Sequence, residues 1–236
     1  MGVDLSYLVQ SLAAQATPEG GTGRLRLPTE RDMVASLDIS RGSLREQLSM
    51  LEMLGFLDRT QGRGSYLTVP DASFIQLYFD LSRQLGHLTG PQFRSAREML
   101  ELSVSEAAAR LATADDVDEL RGLVDAMVAA SGEGDDARAL EADLEFHRTL
   151  SRIVDNPIFG VLQEGLSHAL RSEVVERRRR AVERLPIGPG QTRVIDTVHY
   201  AIVEAVGERD ASGAREAMRR HFEVWSSHVG PAEPEA

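Results

Sequence analysis

The sequence predicts a mainly α-helical chain of two domains. Residues 1–70 make a small unit of helices and one β-hairpin, residues 71–230 make an all-helical bundle, and 231–236 form a flexible tail. Three observations predict this. Apolar residues recur at helical spacing through almost the whole chain. The one pair of β-prone runs flanks a Gly-rich turn at residues 61–64. Pro70-Asp71 then separates a mixed pattern from a purely helical one.

The first helix spans 4–16, with Leu5, Leu8, Val9 and Leu12 on one side. A Pro- and Gly-rich break, Thr17–Gly23, follows. Thr29 with Asp32 three residues on reads as a capping box, so a short helix starts there and ends near Asp38. Ser40 caps the next helix. Ile39 before it and Leu44 within it match a hydrophobic staple. Leu44, Leu48 and Leu51 form its apolar stripe, and Gly55 closes it as a C-cap. Phe56–Thr60 and Ser65–Val69 are the two strands of the hairpin. Beyond Asp71 the pattern predicts helices near 72–86, 91–111, 114–130, 136–154, 157–182, 190–207 and 211–228, divided by Gly132–Gly134, Asn156-Pro157 and Pro186–Gly190.

Composition narrows the function. The chain has 236 residues and no cysteine, which excludes disulfides and thiolate metal sites. The sequence shows neither a membrane-length apolar run nor a signal peptide, which predicts a cytoplasmic protein with no membrane partner. All 26 basic residues are Arg, which reads as nucleotide-composition bias. The net charge is −11, unevenly spread. Residues 1–70 carry seven Arg against eight acids, while the rest carries nineteen against twenty-nine. Only the N-terminal unit can therefore meet phosphates, through a local Arg patch.

Helix, tight turn, helix and hairpin is the layout of a winged helix-turn-helix, whose second helix enters the major groove by its N-terminal end. Arg41 and Arg45, four apart, can reach guanine edges or phosphates. Ser40 and Ser43 offer hydroxyls, and Arg31 stands where it can clamp backbone. Gly62 lets the wing approach closely, with Arg63 at its tip. The competing assignment for the Arg pair is plain solvated charge.

Leu27-Pro28-Thr29-Glu30-Arg31, Ser40-Arg41, Leu44-Arg45-Glu46, Leu51-Glu52 with Gly55, and Gln61-Gly62-Arg63-Gly64 resemble, in order, the signature of GntR-family bacterial regulators. The resemblance implies a homodimer on palindromic double-stranded operator DNA. It places Arg31, Arg41, Arg45 and Gly62 on DNA, with Ser40, Ser43 and Arg63 close by. Two positions depart from the family: Asp38 stands where Gly is common, a place Asp tolerates, and Gln47 where Ala is common.

In the helical part, Asp143 and His147 lie four apart on one predicted helix, while His199 and His221 are each mid-helix among apolar residues. One Asp and three imidazoles suit a divalent metal of Zn2+-like ligand chemistry, with Ni2+ or Mn2+ as alternatives. Spacing alone leaves open whether the helices converge or each His is isolated. Residues 72–229 further resemble the FCD effector domain of the fatty-acid-regulator subgroup. The residues that carry this are Arg97-Glu98-Met99-Leu100-Glu101, Asp143–His147, Asn156-Pro157, His199, and Gly207 and Asp210 followed by Met218 and His221. The resemblance implies metal binding by Asp143, His147, His199 and His221, and it argues against the acyl-CoA branch, which lacks that set. It also implies an effector pocket faced by Arg97, whose fork suits the carboxylate of a small organic acid. Alternatively Arg97 pairs with Glu101, and both can hold. His87, His168 and His228 read as isolated, and Glu176–Arg180 as a solvated helix end where cations favour the dipole.

The function expected is thus a DNA-binding regulator, repressor or activator, gated by a small carboxylate bound beside the metal. Two alternatives are a regulator for which the metal is itself the signal, and a metal-dependent hydrolase. Against the hydrolase, no residue is obviously placed as a general base.

Overall fold

The computed structural model describes residues 4–19, 24–60, 64–184 and 191–229. The chain divides into two compact units between Leu77 and Tyr78.

The N-terminal unit is organised by caps. Asp4 accepts from the Ser6 N–H at 3.2 Å and opens α1 (Leu5–Gln15). Thr29 opens α2 (Glu30–Leu37), accepting from the Asp32 N–H and donating to its carboxylate. Each such cap satisfies a helix N–H that has no intrahelical partner. Asp38 ends α2 in the left-handed region, φ 51°, so Asp supplies the turn conformation where Gly is the commoner choice. Ser40 then caps α3 (Arg41–Met53) by accepting from the Ser43 N–H at 3.1 Å. Gly55, at φ 80°, closes α3: the Phe56 N–H reaches the Leu51 carbonyl and the Gly55 N–H that of Glu52.

Strands β3 (Leu57–Thr60) and β4 (Gly64–Leu67) form the expected hairpin, with Thr60 opposite Gly64. The sheet is larger than predicted. The Pro/Gly-rich segment contributes β1 (Thr17–Pro18), and β2 (Leu25–Arg26) pairs with both β1 and β4, giving the antiparallel order β1-β2-β4-β3. Strands of two residues are too short to show an alternating pattern. Leu8, Leu12, Met33, Leu44, Leu48 and Leu51 fill the core and are essentially inaccessible.

Beyond Asp71 every element among the described residues is helical: α4 (Ser73–Gln84), α5 (Gly90–Leu111), α6 (Ala114–Glu133), α7 (Asp136–Ile153), α8 (Pro157–Arg184), α9 (Val194–Thr197), α10 (His199–Gly207) and α11 (Ala211–Val229). Capping boxes at Thr89/Gln92 and Thr113/Asp116 start α5 and α6. The main core packs Val104 and Ala108 of α5, Leu120 and Val124 of α6, Phe146 and Leu150 of α7, Ile202 and Val206 of α10, and Met218 of α11.

Two expectations are corrected. The helix predicted over 190–207 is two helices, α9 and α10, broken at Val198. The His199 ring contacts the Asp196 carbonyl at 2.9 Å, the acceptor that the Tyr200 N–H would use in an unbroken helix. The run Glu176–Arg180 is not a solvated end. Successive helical residues point about 100° apart, so its four Arg face different surroundings. Arg179 and Arg180 pair with Glu176 near solvent. Arg178 is 2% exposed, donating to Asp196 at 3.1 Å and Ser131 at 2.6 Å. Arg177 faces a cavity.

Candidate functional site

In the helical unit, α7, α10 and α11 each bring buried ligand groups to one point. Asp143 and His147 are one turn apart on α7, and His199 opens α10 just past the break in the chain's helical path. His221 lies in α11. All four are at most 3% exposed, and one ligand atom from each lies within 4.8 Å of the others. His199 Nε2 is 3.1 Å, and His147 Nε2 3.9 Å, from Asp143 Oδ1. Phe146 packs edge-on against the rings of His147 and His199, which limits their rotation.

The residues fit a divalent ion. Asp143 Oδ1, His147 Nε2, His199 Nε2 and His221 Nδ1 are buried without a well-formed hydrogen bond, a costly state that a cation would relieve. The second nitrogens of two rings have neighbours: His199 Nδ1 lies 2.9 Å from the Asp196 carbonyl in a hydrogen bond, and His147 Nδ1 lies at the same distance from Glu101 Oε2 without a well-formed hydrogen bond. Such outer contacts fix the tautomer and leave Nε2 as the ligand atom. His221 is set differently. Its Nε2 accepts from the Trp225 indole at 3.1 Å, so binding an ion costs either that bond or the Nδ1 proton.

Glu101 connects the cluster to the sequence-predicted effector residue. It takes the Arg97 Nε at 2.6 Å and the Gln163 amide at 2.9 Å, all three groups buried. Burial raises the Glu101 pKa, but Arg97 and then His147 outweigh it and hold the carboxyl well below its usual range. Asp143 is likewise lowered: burial opposes ionisation, and the contact with His199 and the charges of His147 and His199 overcome it. His221 is pushed far down, by burial first and then by its neighbouring imidazoles. Asp143 is thus held ionised and His221 neutral, each the form that can ligate a cation.

Arg97 also lines two adjoining cavities. The inner one, about 30 Å³, touches Asp143, His221 and Trp225. The outer one, about 230 Å³, is lined by Arg94, Glu173, Arg177 and Phe222 among others. Arg97 thus pairs with Glu101 and lines both cavities. Sequence reading missed Arg94, Glu173 and Arg177. Their i,i+3 and i,i+4 spacing with Arg97 and with each other was the available signal, but a helix carries many such pairs. His168 stands apart, 3.0 Å from Asp80.

In the N-terminal unit the predicted DNA residues gather around the start of α3. Arg31, Ser40, Arg41 and Arg45 are exposed and Ser43 half-buried. Arg45 donates its Nε to Glu30 at 2.8 Å, so a base contact by that nitrogen must displace an exposed ion pair, which is weak. Arg31 stands near Asp32 at 3.8 Å. The Ser40 hydroxyl is occupied as a cap. Gly62 and Arg63 lie outside the described residues. The sequence reading passed over Arg26 of β2, which is exposed beside Gly64.

The comparisons with known proteins agree with this division. The family model described as "FCD domain" matches residues 92–224, and that of "Bacterial regulatory proteins, gntR family" matches 22–67. The chain is 30% identical over 210 residues to the HTH-type transcriptional repressor NanR of Citrobacter rodentium, covering 86% of this chain and 76% of that protein. It is 29% identical over 211 residues to the repressor of the same name from Cronobacter sakazakii, covering 85% and 77%. Among solved structures it resembles Streptococcus agalactiae GntR, with a TM-score of 0.59, 24% identity, and 94% and 97% of the two chains covered. That likeness supports the fold.

Proposed function

Because this chain belongs to the GntR family of bacterial regulators and carries an FCD domain, we propose that it is a homodimeric repressor whose helical domain holds a divalent metal and senses a small carboxylate. That it is a DNA-binding transcriptional regulator, and not an enzyme, follows from the family and its relatives. The repressor sign is taken from the relatives' names.

One observation carries the metal and effector assignment: four buried ligand atoms within 4.8 Å, beside a cavity that Arg97 also lines. Asp143, His147, His199 and His221 hold the metal, with Zn2+ the best match to the donor set. The metal supplies a Lewis-acidic position for an anionic oxygen. Arg97 orients the incoming carboxylate and neutralises it in a buried, low-dielectric setting. Glu101 positions both partners, since it holds Arg97 and His147 at once. In the N-terminal unit, Arg41 and Arg45 read bases or grip phosphates, Arg31 and Ser43 contact backbone, Ser40 sets the start of the recognition helix, and Gly62 and Arg63 form the wing tip. The effector acts by differential affinity: it favours the state of the dimer with the lower operator affinity.

The test is a thermal-shift screen of small organic acids with and without Zn2+, followed by titration of a duplex selected in vitro from a random palindromic library. An acid that stabilises the Zn2+-loaded protein and weakens duplex binding is the expected result. A change in duplex affinity on adding Zn2+ alone, with every acid inert, would overturn the effector assignment.

A further inference from the structure

The pairing of the guanidiniums around the effector cavity indicates what kind of acid it takes. Three guanidiniums, Arg94, Arg97 and Arg177, line the outer cavity, and Arg97 and Arg177 also line the inner one. Two of the three are held by carboxylates. Glu101 is spent on Arg97 at 2.6 Å. Glu173 is spent on Arg94, whose NH1 lies 2.7 Å from both of its oxygens. Arg177 is left 3.7 Å from Glu173, beyond hydrogen-bond reach, with no nearer carboxylate among the described residues. Glu98 and Glu223 also line the outer cavity, and Glu223 already pairs with Arg219. Arg177 is thus the one of the three guanidiniums that no carboxylate holds at hydrogen-bond distance among the described residues. Burial first, and then the repulsion of Arg94 and Arg97 against the attraction of Glu173, lower the Arg177 pKa.

A divalent ion on Asp143 and three imidazoles adds a further net positive charge beside the inner cavity. One carboxylate facing Arg97 answers that charge, and the Arg177 fork remains without a hydrogen-bonded anion. A second anionic group on the same ligand supplies one. The outer cavity, at about 230 Å³, is smaller than the ~300–1,000 Å³ of drug-sized ligand sites, which sets the ligand at metabolite size. Phe222, which lines both cavities, offers the carbon skeleton an apolar wall.

We propose that the effector is a small dicarboxylate, with one carboxylate in the inner cavity facing Arg97 and the second held by the fork of Arg177 beside Arg94. The proposal rests on the effector pocket argued above and adds the second anion subsite. A planar fork unoccupied by a carboxylate is the group best suited to bind one.

The experiment is isothermal titration of the Zn2+-loaded full-length protein with malonate, succinate and glutarate, each against its monoamide. The monoamide keeps the shape and removes one charge. The expected result is that the preferred dicarboxylate binds at least tenfold tighter than its monoamide. In Arg177→Met the ratio should fall below about twofold while monoamide affinity stays within threefold. A parallel titration with 3-phosphonopropionate tests the occupant: tighter binding than succinate would keep the subsite and replace the carboxylate by a phosphate-like group. Equal binding of diacid and monoamide to the wild-type protein overturns the inference whether or not the variant folds. If monoamides bind and Arg97→Met abolishes it, the effector pocket stands and only the second subsite falls. If neither class binds the Zn2+-loaded protein, both fall together.

Discussion

The two units place their proposed functional residues in opposite ways. In the N-terminal unit Arg31, Arg41 and Arg45 are exposed, and they come from fifteen consecutive residues of two capped helices. In the helical unit the Asp–His cluster is buried, and its four residues span positions 143 to 221. A surface that meets DNA needs flexible cations on a firm scaffold, so a short, locally capped segment suffices. A centre that holds a cation away from water needs several helices to converge, and each ligand must be aimed by a neighbour. The first kind of site tolerates a lost side chain as a loss of affinity. The second loses its chemistry altogether, because an incomplete cluster leaves buried polar groups unpaired.

The largest effect is therefore expected in the helical unit. Asp143→Ala or His221→Ala should strip the protein of metal, as read by elemental analysis after dialysis. Thermal midpoint should then no longer rise with added Zn2+, whereas a ligand at 100 times its dissociation constant stabilises the wild-type protein by about 2.7 kcal/mol. Full metal occupancy in both variants would break the contrast at its stronger end.

A smaller effect is expected from Arg45→Ala. It should weaken specific duplex binding by about 1–3 kcal/mol if the guanidinium reads a base, with metal content and unfolding midpoint unchanged. The exposed pair with Glu30 contributes little to stability. Operator affinity equal to wild type in a gel-shift series would remove Arg45 from the DNA surface.

The smallest effect is the loss of a cap. Ser40→Ala removes the acceptor for the Ser43 N–H and should destabilise the N-terminal unit by about 1 kcal/mol. Denaturant unfolding followed by circular dichroism measures this. A variant of wild-type stability but much weaker duplex binding would show that the hydroxyl serves DNA rather than the helix start.

Much of this was legible in the chain because the signals are local. Thr29, Ser40 and Gly55 announce helix ends by chemistry that acts within four residues, and each is used that way here. Leu44, Leu48 and Leu51 announce a buried face by spacing, and all three are inaccessible. The residues of the Asp–His cluster were nameable from motif resemblance, but no spacing rule said that three helices meet. Other features were illegible for identifiable reasons. β1 and β2 are too short to show a period. The break at Val198 depends on a side chain turning back on its own helix. In the run from Arg177 to Arg180, four identical side chains share one composition and differ only in direction. One becomes a buried anchor on Asp196, one faces the cavity and two meet solvent-side Glu176.

The sequence by itself determined where most helices begin and end, which faces are apolar, and that cations able to meet DNA lie in the first seventy residues. Capping, periodicity and net charge are properties of neighbours along the chain. Only the tertiary structure decided that Asp143, His147, His199 and His221 share a centre, that Glu101 links that centre to Arg97, and that Arg177 joins Arg94 and Glu173 at a cavity. Those facts depend on how helices distant in sequence pack, and burial then makes each charge depend on the partner that packing brings.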